Sequence, residues 1–473
     1  MRSMRRIAVW LLMASMLVAI AGCGSTNRSG DEPASGTQNS RAASETANQS
    51  SGGKSDEKIH LRFTYWGSTY EKEVISKAIE RFVNDTGISV EGIHIPSEYE
   101  TKLTTMIAAN DAPDVGYLGP PMAYKWYEDG KLANIKELFM TDASSKEEDF
   151  IEGVIVRKGD DIVGLMNNLE SYALFYNKDA FEEAGVELPP TKPEEAWTWE
   201  EFIEVAKKLT IDNNGRNALD PDFDPNNVRQ YGFNMDIWSG PIEALLLRNG
   251  TQYFPGKGDT TGINTPAFNQ VLQNVADLMN VHHVMPSRVT AKSMPAPAVA
   301  LQSRRYAMVL DGQWVCNDFA NIEGLNYGVG VIPKMTSTTA VYSGALGVIF
   351  SSSKHPEEAW QFLKYITDPE ISLELFRDGL WMPNRKAYYT DEEKISLWAS
   401  PGPARVEGYR DVLVDPIVND SEVTSEVYVK NFGDINNILF PALDQAWTGK
   451  KTVDEVMAEI MPKLEPLLEG SIK

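Results

Sequence analysis

A chain of 473 residues exceeds one ordinary core and predicts two lobes. Its 42% hydrophobic content and 11 Trp fit a well-packed globular protein. A net charge of −23 argues against a nucleic-acid partner, because phosphate binding needs a basic face, and suits an extracytoplasmic protein with a neutral or polar ligand.

The chain opens with Arg2, Arg5 and Arg6, then an apolar run over residues 7–20. That run has the length of a signal-peptide core and is too short for a comfortable membrane span. Ile20-Ala21-Gly22-Cys23 follows. Small residues before a cysteine resemble a bacterial lipobox, which implies cleavage before Cys23 and lipidation of its thiol. An ordinary secretory signal is the alternative. Residues 1–22 read as signal peptide. Residues 23–58 read as the lipidated cysteine and a tether, since 24–58 hold Ser, Gly, Asn, Thr, Ala and scattered charges but no aromatic residue. With Cys23 lipidated, Cys316 has no partner and reads as a buried free thiol rather than a nucleophile. No disulfide framework or CxxC metal motif exists.

Order begins at Ile59. Ile59, Leu61, Phe63 and Tyr65 alternate with polar residues, a half-buried strand ending in Trp66-Gly67. Residues 70–85 set Val74, Ile75, Ala78, Ile79, Phe82 and Val83 on one helical face, closed by Gly87. A strand over 88–95, a helix over 99–109 and a strand over 114–118 follow. This β-α-β-α-β order predicts a parallel sheet with right-handed crossovers. In residues 166–186 a polar approach with Asn167, Asn168, Glu170 and Tyr172 feeds a short apolar strand over 173–176. Asp179 then stands to cap a helix that Gly185 stops. In α/β proteins, ligands sit at strand ends of this kind.

Thr198 with Glu201 three residues on predicts a capping box, which makes Trp197 and Trp199 packing residues. Residues 211–227 are acidic and Asn-rich. An EF-hand fails there, because Pro225 sits where the loop needs Gly and the bidentate Glu is missing. A solvated loop is expected, with an adventitious calcium site left open. A strand at Tyr231-Gly232-Phe233-Asn234 leads to Asp236, Trp238 and a helix with Pro241 at N1. Residues 266–279 form an amphipathic helix. His282 and His283 point apart with no further ligands nearby, so no metal is expected. A strand over 306–310 exits through Asp311-Gly312-Gln313-Trp314. Residues 327–333 and 342–350 read as strands. Gly344 and Gly347 interrupt the second, where another backbone or a ligand comes close. Helices over 356–367 and onward to Gly379, then Leu380-Trp381-Met382-Pro383-Asn384 and helical residues 432–468, complete the chain.

No G-x-S-x-G elbow, P-loop, HExxH or G-x-G-x-x-G occurs, so no catalytic residue or cofactor is assigned. Composition leaves paired-carboxylate glycoside hydrolysis open, and with it a surface carbohydrate-active enzyme as an alternative. What recurs is Trp or Tyr at strand ends beside isolated polar groups: Trp66, Glu170, Tyr172, Asp236, Trp238, Trp314 and Trp381. Flat rings stack on the apolar faces of sugars, and carboxylates and amides meet hydroxyls in fixed directions.

The run LFYNKDAFEEAGVEL over 174–188, with Pro189-Pro190 and Thr198-Trp199-Glu200-Glu201-Phe202, resembles the signature of extracellular solute-binding proteins of family 1. These are the sugar-binding lipoproteins of ABC importers, related to maltodextrin-binding protein. Supporting matches are Pro113-Asp114-Val115, Tyr231-Gly232-Phe233, Gly312-x-Trp314, Gly344 and Ser353-Lys354-x-Pro356-x-x-Ala359-Trp360-x-Phe362. The resemblance implies an α/β fold of the two-lobed periplasmic-binding-protein type (type II). Each lobe is then a mostly parallel sheet flanked by helices, with the ligand cleft at a two- or three-strand hinge. The lobes would take 59–169 plus about 340–385, and 170–339 plus about 386–473. It implies a monomeric receptor, not an enzyme, anchored through Cys23 on the outer face of a Gram-positive-type cell membrane. Such a receptor hands a mono- or oligosaccharide to permease subunits. Glu170 falls where the maltodextrin binders carry a cleft carboxylate, and Trp314 matches their sugar-stacking Trp. Trp381 corresponds to a late aromatic site. Asp236 and Trp238 follow a segment where the family offers ligand groups. Trp66 and Asp114 are placed by their strand ends, and Asn168, Tyr172 and Gly344 complete the expected ligand-facing set. The loop at 211–227 departs from the maltodextrin binders, so maltose specificity is not carried over. A non-sugar polar solute is the other alternative; a phosphate ester would want Arg or Lys at the cleft, and none of these candidates is basic.

Overall fold

The computed structural model describes residues 58–468, so the expected signal peptide, lipidated Cys23 and nearly all of the tether lie outside the described residues. The alternation after Ile59 becomes strand β1 (His60–Tyr65), with Leu61, Phe63 and Tyr65 buried. The helix Thr69–Thr86 starts in a capping box of Ser68 and Glu71. It ends at Gly87, whose φ of 75° is open to glycine at little cost. β2 (Ser89–His94) and β3 (Val115–Leu118) flank β1 in parallel, as the β-α-β-α-β order requires. β4 (Ile155–Lys158) and β5 (Asp161–Met166) add an antiparallel pair.

The chain then starts a second sheet with β6 (Glu170–Asn177), buried along its length after Glu170 as a central strand should be. Asn177, not Asp179, caps the helix Lys178–Ala184: its side chain accepts from the Ala180 N–H at 3.0 Å. Asp179 falls inside the first turn and accepts instead from the Asn326 amide at 2.8 Å. β7 (Ile211–Asp212), β8 (Val228–Met235), β9 (Tyr306–Gly312), β10 (Tyr327–Gly330) and β11 (Ala340–Ser343) extend this sheet. The helix Ser239–Arg248 begins two residues earlier than expected, which makes Pro241 its third residue.

Residues 342–350, expected as one strand, are two. β11 pairs with β6, whereas β12 (Leu346–Ile349) inserts antiparallel between β3 and β5 of the first sheet. The chain changes sheets at residues 344–345, a few residues past the expected position near 340. β13 (Ser421–Val423) then lies parallel to β11 at the edge of the second sheet. The orders are β2-β1-β3-β12-β5-β4 and β13-β11-β6-β9-β8-β7, with β10 beside β6. Both sheets are mixed rather than mostly parallel. Only β2-β1-β3, β8-β9 and β11-β13 run parallel, because hairpins and the re-entry of β12 bring antiparallel neighbours. One core gathers around the first sheet through Phe63, Val163 and Phe362, reaching β6 at Phe175. A second gathers around Leu174, Phe202, Leu245, Phe268 and Leu439. Among the described residues no helix is long and apolar enough to cross a membrane.

Three stretches meet where the sheets join: residues 167–169, 344–345 and 381–384. The Asn167 N–H donates to the Ala345 carbonyl at 2.9 Å, and Leu169 and Met382 exchange a pair of backbone bonds at 2.8 and 3.0 Å. Asn384 donates to the Met166 carbonyl at 2.8 Å. Gly344 is required by this crowding, since a Cβ there would strike the Asn168 carbonyl oxygen. Gly344→Ala should therefore destabilise the fold by about 1–3 kcal/mol. Urea titration checks it, and an unchanged midpoint would refute this role.

Candidate functional site

The C-terminal ends of β1, β3 and β8 and the first residues of β6 converge on a cavity of about 180 Å³ between the sheets. Strand ends at a junction of sheets are the usual ligand position in α/β folds. Trp66 follows β1 and Gly119-Pro120 follow β3. Tyr172 projects from β6, and Trp238 and Glu243 come from the approach and the body of the helix Ser239–Arg248. The lining also takes Ser343-Gly344-Ala345 from the sheet-to-sheet crossing, and Thr424 and Glu426 beyond β13.

The aromatic walls are braced from behind. Trp66 stands edge-on to Tyr99 (5.0 Å, 83°) and Tyr117 (5.5 Å, 71°). Tyr172 meets Trp314 edge-on (5.5 Å, 82°) and Trp238 at a tilt (6.1 Å, 58°). Trp238 is 43% exposed and Tyr172 only 4%, so Trp238 stands at the open rim of the cavity and Tyr172 closes the floor. Gly240 allows this, because a Cβ there would strike both the Tyr172 hydroxyl and the Trp238 ring.

Three carboxylates line the same cavity. Glu170 accepts from the Asn168 amide at 3.1 Å. Glu243 accepts from the Ser425 N–H at 2.9 Å and from the Ser425 hydroxyl. Glu426 accepts from Ser343 Oγ at 2.8 Å and Thr424 Oγ1 at 3.4 Å. In each case the bonded oxygen is Oε1, and among the described residues Oε2 has no protein donor. Among the described residues no Lys, Arg or His lines the cavity. Burial pushes the Glu170 carboxyl up to about 7. Repulsion from Glu71 and Glu426 adds to this, and the Asn168 bond opposes it. Burial pushes Glu243 up to about 8 against the two bonds from Ser425, with Glu426 adding repulsion. Glu426 is likewise raised by burial.

Of the residues expected from the sequence, Trp66, Glu170, Tyr172, Trp238 and Gly344 meet at this cavity. Asn168 lies just behind it, orienting Glu170. Trp314 also stands one layer back. Its ring folds over Gly312 and supports Tyr172. Trp381 is 4% exposed and is not a wall. Its indole N–H donates to Glu71 Oε1 at 3.1 Å, beside the Ser68 cap. Asp114 sits at the far end of β3 from Gly119, where it accepts from the Arg62 N–H at 2.9 Å and Ser353 Oγ at 2.6 Å. Asp236 is exposed and does not line the cavity, because the chain turns after β8 and sends Trp238 inward instead.

Glu243, Ser343, Thr424 and Glu426 were not anticipated. Glu243 left a readable signal: it is the one acid in the run Pro241-Ile242-Glu243-Ala244-Leu245-Leu246-Leu247, a helix too apolar to carry a casual charge. In the acidic loop, Asp212 is buried and accepts from the N–H groups of Asn214, Arg216 and Asp224 at 2.8, 2.9 and 3.2 Å, so its carboxylate organises the turn. Among the described residues no group of three or more His, Cys, Asp or Glu is placed to hold a metal. Cys316 is buried, which pushes its thiol up to about 12, away from nucleophilic use. A larger groove of about 690 Å³ runs along Phe150, Arg157, Lys257 and Tyr428. Its Arg157 and Lys257 are paired with Glu147 and Glu152, and it lacks converging aromatic walls.

The raised carboxyls have a consequence for stability. Between the ordinary Glu range and about 8, the folded protein holds protons on Glu170 and Glu243 that the unfolded chain has released. Stability should then fall as pH rises from about 5 to about 8. Glu243→Gln should flatten this slope, measured by urea titration across that range. A slope equal to that of the parent protein would contradict the assignment.

The model of the family described as "Bacterial extracellular solute-binding protein" matches residues 66–372. A putative binding protein of Brucella abortus is 22% identical over 411 residues, 84% of this chain and 89% of that protein. The sn-glycerol-3-phosphate-binding periplasmic protein of Yersinia enterocolitica is 24% identical over 319 residues, 64% of this chain and 66% of that one. Among solved structures, an ABC substrate-binding protein of Listeria monocytogenes in complex with cycloalternan superposes with a TM-score of 0.74 at 18% identity, covering 87% of this chain and 99% of that one. A maltose-bound binding protein of T. maritima gives 0.66 at 22% identity, covering 86% and 100%. The family match spans well over half of the chain, and the two-sheet fold with its cleft agrees with it: the chain belongs to the bacterial extracellular solute-binding proteins.

Proposed function

We propose that the protein is the extracytoplasmic receptor of an ABC importer and captures a carbohydrate in the cavity between its sheets. The observation that carries this reading is the pairing of Trp66, Tyr172 and Trp238 with carboxylates whose Oε2 atoms have no protein donor. Rings supply a surface for the C–H face of a sugar, and the free oxygens accept its hydroxyls. The sugar-bound fold neighbours support the same class of ligand. The glycerol-phosphate-binding relatives favour a second reading, a phosphate ester. The cavity speaks against it, since it offers no cation to a phosphate.

The chemistry required is binding, not bond cleavage. Trp66 and Pro120 belong to the first sheet's side, and Tyr172, Trp238 and Glu243 to the second's. A ligand touching both sides stabilises the closed arrangement, which the permease reads. Differential contact is the requirement, so a group that touches one side alone shifts nothing. The receptor is taken to work as a monomer. Anchorage through lipid on Cys23 completes the proposal. Cys23→Ala should release the protein from the membrane fraction, and unchanged membrane retention would refute the anchor.

A thermal-shift screen of the domain from Lys58 onward against a carbohydrate panel tests the reading, because a ligand of the native state raises its melting temperature. A phosphate ester as sole hit would overturn it. With a binding sugar in hand, Trp238→Ala should cost roughly 2 kcal/mol of affinity, as truncation of hot-spot aromatics does. Asp114→Asn should leave affinity unchanged. Calorimetry decides both, and the reverse order of effects would contradict this site.

A further inference from the structure

We propose that the ligand is an amino sugar, whose protonated amine is held against the carboxylates of the cavity. This rests on the carbohydrate reading and narrows it. The lining holds Glu170, Glu243 and Glu426 and, among the described residues, no basic side chain, so it favours a ligand that brings its own positive charge. Glu243 is 1% exposed and Tyr172 is 4% exposed. Among the described residues Glu243 Oε2 and the Tyr172 hydroxyl have no hydrogen-bond partner, and both residues line the cavity. Each is thus a polar group at the cavity wall with hydrogen-bonding capacity left for a ligand. Each carboxylate is pinned by a donor to its Oε1, which leaves Oε2 turned to other use.

Glu426 lines the same cavity as Glu170 and Glu243, and its charge opposes the ionisation of both. A bound cation lets these carboxyls release their protons and ionise beside it, which a neutral polyol does not. The rings of Trp66, Tyr172 and Trp238 fit this tenant, because their faces attract ammonium groups as well as sugar C–H surfaces. A cavity of about 180 Å³ has room for a single ring. The same lining gives a phosphate ester no cation to pair with.

Isothermal titration of the folded chain with glucosamine, galactosamine and mannosamine, each beside its parent hexose and its N-acetyl form, tests the inference. At least one amine should bind tenfold or more tighter than both of its neutral counterparts. Glu426→Gln should remove most of that preference while the melting temperature is kept or raised, which separates lost recognition from lost folding. Neutral sugars binding as tightly as the amines would overturn the amino-sugar assignment and leave the carbohydrate reading standing. Choline or spermidine binding while every sugar fails would overturn the carbohydrate reading as well. Silence from all of these compounds would overturn both.

Discussion

The meeting of residues 167–169, 344–345 and 381–384 constrains everything around it. Their backbone bonds set where β5 ends and β6 begins, and so where Glu170 stands relative to Trp66. Gln313, fully buried, extends the same mesh. It accepts from the Ser171 N–H at 2.9 Å and donates to the Leu380 carbonyl at 3.1 Å, tying β6 to the third stretch. Asn167, Asn168 and Asn384 are buried here, and each keeps at least one amide atom without a partner. Unsatisfied buried groups cost stability. Proteins break such local rules at functional sites, and here the breach coincides with the joint between the lobes.

Cavity chemistry follows from that joint. Carboxylates brought together and shielded from water resist ionisation, which sets a demand for a compensating group. A ligand that meets it from both sheets stabilises the closed form more than the open one, which is the condition for closure to report capture. Affinity and signalling then share one origin. The second layer holds the first in place: Asn168 behind Glu170, Ser425 behind Glu243, Trp314 behind Tyr172.

Much of this was legible before any coordinates. Alternation and helical periodicity gave β1 through β3, and the Thr198–Glu201 capping box stands as read. Aromatic residues at strand ends pointed to Trp66, Tyr172 and Trp238. Other positions misled for physical reasons. An apolar run broken only by Gly344 and Gly347 reads as one strand, since nothing local tells which sheet each half joins. Trp381 and Asp114 satisfied the strand-end rule, yet tertiary partners Glu71, Arg62 and Ser353 claim them. Glu426 comes from an irregular stretch whose position depends on β13 pairing with β11, a contact between residues some eighty positions apart.

In the proposed mechanism the ligand draws the two lobes together. A distance between labels on the helices Thr69–Thr86 and Trp199–Leu209 measures it directly, by fluorescence transfer in a Cys23→Ser background where buried Cys316 stays unlabelled. Closure shortens that distance at saturating ligand, with the same midpoint as calorimetric binding. Full occupancy by calorimetry with no change in that distance would contradict it.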